Sequence, residues 1–203
     1  YQLVRDALPA EIRAKWEQGL LLGFGAIARA FPDSSVHNIP VHQAMALYIA
    51  GECFENADWR ERARQFMAKA VERQDPAGFW SEHSGPVIGY NLVYVEALGI
   101  YYAHSQEPVV LEALRRSARF HSAVLFPDGS SVAAIDERQV YGSGIELGNV
   151  GFSFTPEGRG FLLSQLTAYN TPERRLVGGD YVASMLLDAG VGKAVMPEEI
   201  GED

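Results

Sequence analysis

Three short stretches of the chain contain most of the side chains that could bind or transform a substrate. They combine imidazole, amide, phenol, indole, guanidinium and carboxylate groups. The members are His37, Asn38 and His42; Trp80, Glu82, His83, Tyr90, Asn91 and Tyr94; and Asp136, Arg138 and Tyr141. Compact catalytic signatures such as a Walker loop, His-Glu-x-x-His or Gly-x-Ser-x-Gly are absent from the sequence. Any chemistry must therefore come from dispersed residues that the fold brings together.

The first stretch offers an amide and an imidazole on one helical face. Asn38 and His42 are four residues apart, so a helix that begins near Asn38 places both side chains on the same side. They could bind substrate together with the neighbouring His37. In the alternative interpretation Asn38 caps the helix and His42 is a hydrogen-bonded core residue.

The second stretch joins a loop bounded by Gly and Pro to the start of a helix. Tyr90 and Tyr94 are one helical turn apart, and His83 precedes them in the loop. A loop that is held rigid can position a catalytic group such as the His83 imidazole or the Tyr90 hydroxyl. The alternative is a solvent-exposed loop with one buried tyrosine.

The third stretch could recognise an acidic substrate. Arg138 could hold a carboxylate through two hydrogen bonds, and Tyr141 could act as an acid or a base. Alternatively, Asp136 pairs with Arg138, or both interact with helix ends.

The elements that must position these groups are predicted to be helices. Stretches that are apolar nearly all round, at 41–51 and 90–104, alternate with stretches that carry one apolar stripe and many charges, at 57–74 and 108–125. Segments 157–169 and 179–187 would form a third pair, and Ile12, Trp16, Leu20, Phe24 and Ile27 mark an earlier helix. Equivalent points recur about every 50 residues. The pattern predicts an all-α chain of α/α hairpins.

Three long loops, at 31–40, 75–89 and 126–156, precede the inner helices, and short turns follow them. In an up-down helical stack such loops share one end, so we expect a site on that rim. Within a long irregular or short-β loop near 127–155, segments 132–141 and 148–154 could form short strands. We expect a single domain over 1–190 and a loosely ordered tail over 191–203.

Composition limits the functional classes. Among 203 residues, 47% are hydrophobic and 21% charged, which is typical of a globular domain. The net charge of −9 argues against nucleic acid, and no apolar run is long enough for a membrane span. The single cysteine, Cys53, excludes a disulfide framework, and the five histidines lack ligand spacing, so we expect no metal and no cofactor. Since the chain begins at Tyr1 without an initiator Met or a signal-like start, we expect either a processed chain or a boundary introduced for expression.

The run from Gly78 to Tyr94 resembles the segment that joins a loop to an inner helix in toroidal polysaccharide lyases, the alginate lyase and heparinase II/III-like group. In that pattern an aromatic-rich loop is followed by Gly-Pro, a short spacer and a tyrosine that opens the helix. Asn38 is similar to the asparagine that these enzymes place ahead of an earlier inner helix. The resemblance covers residues 30–145 and implies a partial α/α toroid. The implied activity is that of a polysaccharide lyase or a fragment of one. Such lyases usually have five or more hairpins and a β-sandwich domain, whereas about three hairpins and no sandwich are expected here. The chain would therefore be a fragment of something larger, or it would keep the scaffold without the activity.

The resemblance also implies roles for individual residues. Asn38 would neutralise the C6 carboxylate of a uronic acid, which lowers the pKa of its C5 proton, and His83 or Tyr90 would remove that proton. Tyr90 could then protonate the leaving oxygen. The implied partner is a uronate-containing polysaccharide or oligosaccharide, the implied location is extracellular or periplasmic, and a homo-oligomer is compatible with the sequence.

Two other functions stay open at this point. A six-hairpin glycoside hydrolase would need two carboxylates, which Glu82, Asp136 and Glu137 could supply. A non-catalytic helical module could instead bind carbohydrate or another partner, with Trp80, Tyr90 and Tyr94 as a stacking platform.

Overall fold

Helices make up the regular structure of the part of the chain that the structure describes. The computed structural model describes residues 1–31, 35–83, 85–132, 146, 148–169 and 192–201. The α-helices in these ranges are α1 (Ala10–Ala30), α2 (Asn38–Cys53), α3 (Ala57–Glu72), α4 (Ile88–Ser105), α5 (Pro108–Ala123), α6 (Val150–Ser153) and α7 (Pro156–Tyr169). Short 3-10 turns lie at Arg5–Ala7 and Pro197–Glu199. Only isolated bridges, Glu82 with Gly85 and Leu125 with Ser131, occur in place of strands among the described residues. The prediction of an all-α fold is confirmed for this part of the chain.

The contacts divide the chain into two compact units, Tyr1–Lys69 and Ala70–Asp203. In the first unit α1 contacts α2, and aromatic rings join α1 to α3. Phe31 meets Phe66 edge to face with 4.8 Å between ring centroids. The predicted stripe of α1 is only partly buried, because Ile12 and Trp16 are 44% and 47% exposed. The stripe predicted for α3 does face inward, and its buried members are Trp59, Ala63, Phe66, Met67 and Ala70.

In the second unit α4 and α5 form the predicted hairpin. The two-residue connection between them contains Gln106, whose backbone has a left-handed φ of 55° and whose N–H donates to the Tyr102 carbonyl. Pro108 occupies the first turn of α5, where its missing N–H costs no hydrogen bond. α5 then packs on α7, and α6 contacts α4, α5 and α7.

The strand predicted at 148–154 is wrong, since this segment contains α6. The side chain of Asn149 caps α6 by accepting a hydrogen bond from the Gly151 N–H at 3.1 Å. Gly151 lies so close to α4 that a Cβ atom there would be 2.1 Å from the Val95 carbonyl oxygen. Glycine at 148 and 151 is typical of a non-helical segment, whereas here Gly151 permits two helices to touch. Most of the strand predicted at 132–141 and all of the helix predicted at 179–187 fall outside the described residues.

Residues 192–201 run along α7. The buried guanidinium of Arg159 donates from Nε to the Lys193 carbonyl at 2.8 Å and from Nη1 to the Ser153 carbonyl at 2.9 Å. The Val195 N–H donates to the Pro156 carbonyl at 2.9 Å. The start of α7 therefore holds this segment in place.

Candidate functional site

Trp80, in the loop that precedes α4, packs against Tyr94 of that helix. Their rings stack in parallel with 4.8 Å between centroids, and each side chain is only 1% exposed. The Trp80 indole also donates to the Ala70 carbonyl at 2.7 Å. Both residues were predicted to bind substrate, and the structure places them in the core, where the stacked pair fixes the loop on the helix.

Asn91 is fully buried and uses its whole amide group on the same loop. Its Oδ1 accepts from the Trp80 N–H at 2.6 Å, and its Nδ2 donates to the carbonyls of Trp80 at 2.9 Å and Val87 at 3.0 Å. Such a side chain replaces the backbone partners that a loop lacks. The hydrogen bonds of the Asn91 amide therefore hold the loop on α4.

Tyr94 extends this anchoring to the tip of the loop. Its hydroxyl donates to Glu82 Oε1 at 2.8 Å. Burial, and secondarily the hydrogen bond to Glu82 and the charge of that carboxylate, raise the pKa of the Tyr94 phenol. Tyr94 thus stays protonated and keeps Glu82, which also bridges to Gly85, in one position.

His83 lies at the exposed tip of this turn, with a left-handed φ of 55°. Its ring centroid is 5.9 Å from that of Tyr90, which is half-buried in the first turn of α4. The structure therefore brings together two of the three predicted catalytic residues. An imidazole and a phenol this close together could act on the same substrate group.

The third predicted catalytic residue, Asn38, opens α2 in the first unit. Its Oδ1 accepts from the Ile39 N–H at 2.8 Å and lies 3.5 Å from His37 Nδ1. His42 follows one turn later on α2. His83 and Tyr90 belong to the second unit, so the convergence of Asn38 with them, like the shared rim of the long loops, stays a prediction. Asp136, Glu137, Arg138 and Tyr141 lie outside the described residues.

Glu146 is a candidate that sequence reasoning missed. Burial, and to a smaller extent the charge of Glu96, raise the pKa of the Glu146 carboxyl to about 7, although a hydrogen bond with Asn149 acts in the opposite direction. The backbone N–H of Glu146 donates to Gln165 Oε1 at 2.8 Å. The only sequence signal was a carboxylate between two aliphatic residues, Ile145 and Leu147.

No group of three or more His, Cys, Asp or Glu side chains within the described residues could hold a metal ion. Each helix there is too short or too polar to cross a bilayer. Comparisons with protein-family models, with curated proteins and with solved structures find no match for this chain.

Proposed function

We propose that this protein cleaves a uronate-containing polysaccharide by β-elimination, as a lyase or as part of a larger one with a partial α/α toroid. The observation that supports the proposal best is the pairing of His83 and Tyr90, whose rings lie 5.9 Å apart at the head of α4. His83 is exposed, so a polymer can reach it from solvent.

In the proposed reaction His83 removes the proton from C5 of the uronate. The electron pair of that C–H bond forms the C4–C5 double bond, the bond from C4 to the glycosidic oxygen breaks, and Tyr90 gives its proton to the leaving oxygen. Asn38 would donate a hydrogen bond to the C6 carboxylate and so stabilise the negative charge that develops there.

The anchoring of the loop supports these roles. The amide of Asn91 and the hydroxyl of Tyr94 hold the loop at Trp80 and Glu82, on the N-terminal side of His83. A catalytic group that is fixed before the substrate binds loses little entropy in the transition state.

The test is a Tyr90→Phe variant assayed on uronate polymers such as alginate and heparin. Elimination creates a double bond that absorbs in the near ultraviolet. We expect the rate to fall by roughly 10²–10⁴-fold, as for loss of a general acid. The free energy of unfolding should change by about 1 kcal/mol at most, because only the hydroxyl is removed.

Tyr102→Phe is the matched control, since Tyr102 is a half-buried tyrosine of the same helix, about 18 Å further along its axis. His83→Gln should reduce the rate as strongly as Tyr90→Phe does. Wild-type turnover in the Tyr90→Phe variant would remove Tyr90 from the mechanism, and wild-type protein that forms no unsaturated product would refute the proposal.

The Glu146 carboxyl favours a second candidate, a glycoside hydrolase. A hydrolase needs a carboxylic acid that keeps its proton near neutral pH, and the pKa of Glu146 is raised to about 7. This function would give new reducing ends without near-ultraviolet absorbance, and Glu146→Gln would abolish them.

A further inference from the structure

A cleft of about 630 Å³ lies in the second unit, and none of the residues assigned above lines it. One wall comes from Pro76 and Ala77 in the turn before α4, and another from α5. Segment 192–201 contributes Pro197 and Ile200 to its lining. Its volume is within the range of small-molecule sites, and its lining combines apolar side chains with a few charged groups, as such sites do.

Arg116 contributes a positive charge to this cleft that has no acidic partner among the described residues. Its Nε and Nη2 both donate to the Gln74 side-chain oxygen, at 3.0 and 2.6 Å. Gln74 is neutral, so these bonds orient the guanidinium without neutralising it. They use the side-on edge of the group, which leaves the end-on pair of N–H groups, one on each Nη atom, for a ligand.

Gln74, which is itself bound to backbone carbonyls, fixes the orientation of the Arg116 guanidinium. Gln74 is buried, and its Nε2 donates to the carbonyls of Gly78 at 3.0 Å and Ala113 at 2.9 Å. Gly78 has φ of 98°, and a Cβ atom there would be 2.2 Å from the Arg116 carbonyl oxygen. The turn and α5 therefore meet backbone to backbone, and the arginine is preorganised in the free protein.

The other charges of the cleft already have partners. Glu112 is 2.5 Å from Arg115, and Arg119 is 3.5 Å from Glu157. Among the described residues, the lining thus holds one guanidinium without an acidic partner, which matches a single negative charge. A dianion would also be repelled by Glu112.

We propose that this cleft binds a small organic monocarboxylate. Its carboxylate accepts two parallel hydrogen bonds from the end-on edge of Arg116, and its body packs against Phe120 and Ile200. This site does not depend on His83 and Tyr90, so binding should persist in the Tyr90→Phe variant.

The experiment is calorimetric titration of the full chain with benzoate, with glucuronate and with inorganic phosphate, and with benzyl alcohol as the neutral analogue of benzoate. We expect saturable binding of a carboxylate and none of benzyl alcohol. Tighter binding of glucuronate than of benzoate would identify acidic sugars as the natural ligands, and the reverse order would identify carboxylates with an apolar body. Phosphate binding more tightly than both, or benzyl alcohol binding equally well, would refute the proposal.

Substitutions in the cleft test whether the carboxylate binds there. Arg116→Gln should weaken carboxylate binding by about 10- to 100-fold, the effect of losing charged hydrogen bonds. Arg62→Gln is the matched control, because Arg62 lies on α3 outside the cleft and pairs with Asp58. In case Arg116→Gln fails to fold, a second variant, Ala123→Trp, should block carboxylate binding, because it fills the cleft from the exposed end of α5. Its control is Ala103→Trp, which places the same bulk at an exposed position of α4. Unchanged affinity in Ala123→Trp would refute the site.

Discussion

At the scale of single residues, the His121 imidazole is buried without a hydrogen-bond partner among the described residues. It is 1% exposed, and neither ring nitrogen has a hydrogen-bond partner in the described part of the chain. Phe120, Phe152 and Phe161 surround it, with ring centroids 5.3, 5.4 and 5.9 Å away. Burial lowers the pKa of His121 from 6.5 to about 3. The imidazole is therefore neutral in the folded protein at every physiological pH.

We predict that His121 makes the protein sensitive to acid and that His121→Met removes this sensitivity. Below pH 6.5 the unfolded chain binds a proton at His121, whereas the folded protein does not until about pH 3. Stability is therefore lost as the pH falls through this window, by about 2 kcal/mol between pH 7 and pH 5. Urea unfolding at both pH values should show this loss in the wild type and a loss smaller by that amount in the variant.

At pH 7 the variant should be about as stable as the wild type, because methionine has a similar size and leaves no polar atom unsatisfied. His104→Gln, at the exposed end of α4, is the control and should keep the wild-type pH dependence. An identical pH dependence in His121→Met would show that other groups cause the acid sensitivity.

At the scale of elements, the contact between α4 and α6 depends on glycine. Alanine normally stabilises a helix relative to glycine by up to about 1 kcal/mol. At Gly151 we predict the opposite sign, with Gly151→Ala destabilising the protein by about 1–3 kcal/mol, because the new methyl group would overlap the Val95 carbonyl oxygen. Gly89→Ala is the matched control, since Gly89 lies on α4 and no described neighbour is within 4 Å of its added Cβ. Chemical unfolding of both variants checks the prediction, and a stabilised Gly151→Ala variant would contradict the close contact.

Some of the helices could be predicted from the sequence and others could not. α3 and α5 follow from their apolar stripes, because a helix with one buried face has a periodic pattern. α6 could not be predicted in this way, because a glycine in the sequence does not reveal whether it ends a helix or allows two helices to touch. Ile12 and Trp16 lie on a periodic stripe and are nevertheless exposed, because periodicity states which face is apolar and not what covers it.

The candidate site was predictable to a similar degree. The Gly- and Pro-bounded loop before a helix singled out His83 and Tyr90 as candidates, and the structure places their ring centroids 5.9 Å apart. Residue type alone could not show which of Tyr90 and Asn91 is accessible to a substrate. In the structure Tyr90 is half-buried beside His83, whereas Asn91 is fully buried. The difference arises from a helical rotation of about 100° per residue and from the loop that covers only one side.

At the scale of the whole molecule, the net charge of −9 affects any encounter with a polyuronate. Two negatively charged molecules repel each other over roughly 30 Å at 0.01 M salt and over about 8 Å at 0.15 M salt. If the proposed function is right, raising the ionic strength between these values should increase kcat/KM on a long polymer severalfold. A trisaccharide, which carries fewer charges, should show a smaller increase. A decrease with salt would instead indicate that local basic residues dominate the encounter.

The loop before α4 has a further consequence, for the order in which the chain folds. The hydrogen bonds that attach it to the helix join Trp80 to Asn91 and Glu82 to Tyr94, and they span only 11 and 12 residues. Closing so short a segment costs little chain entropy, whereas the link from Asn149 to Leu92 must close 57 residues. We therefore expect the segment that carries His83 and Tyr90 to reach its native arrangement early, while α6 and α7 are still unattached.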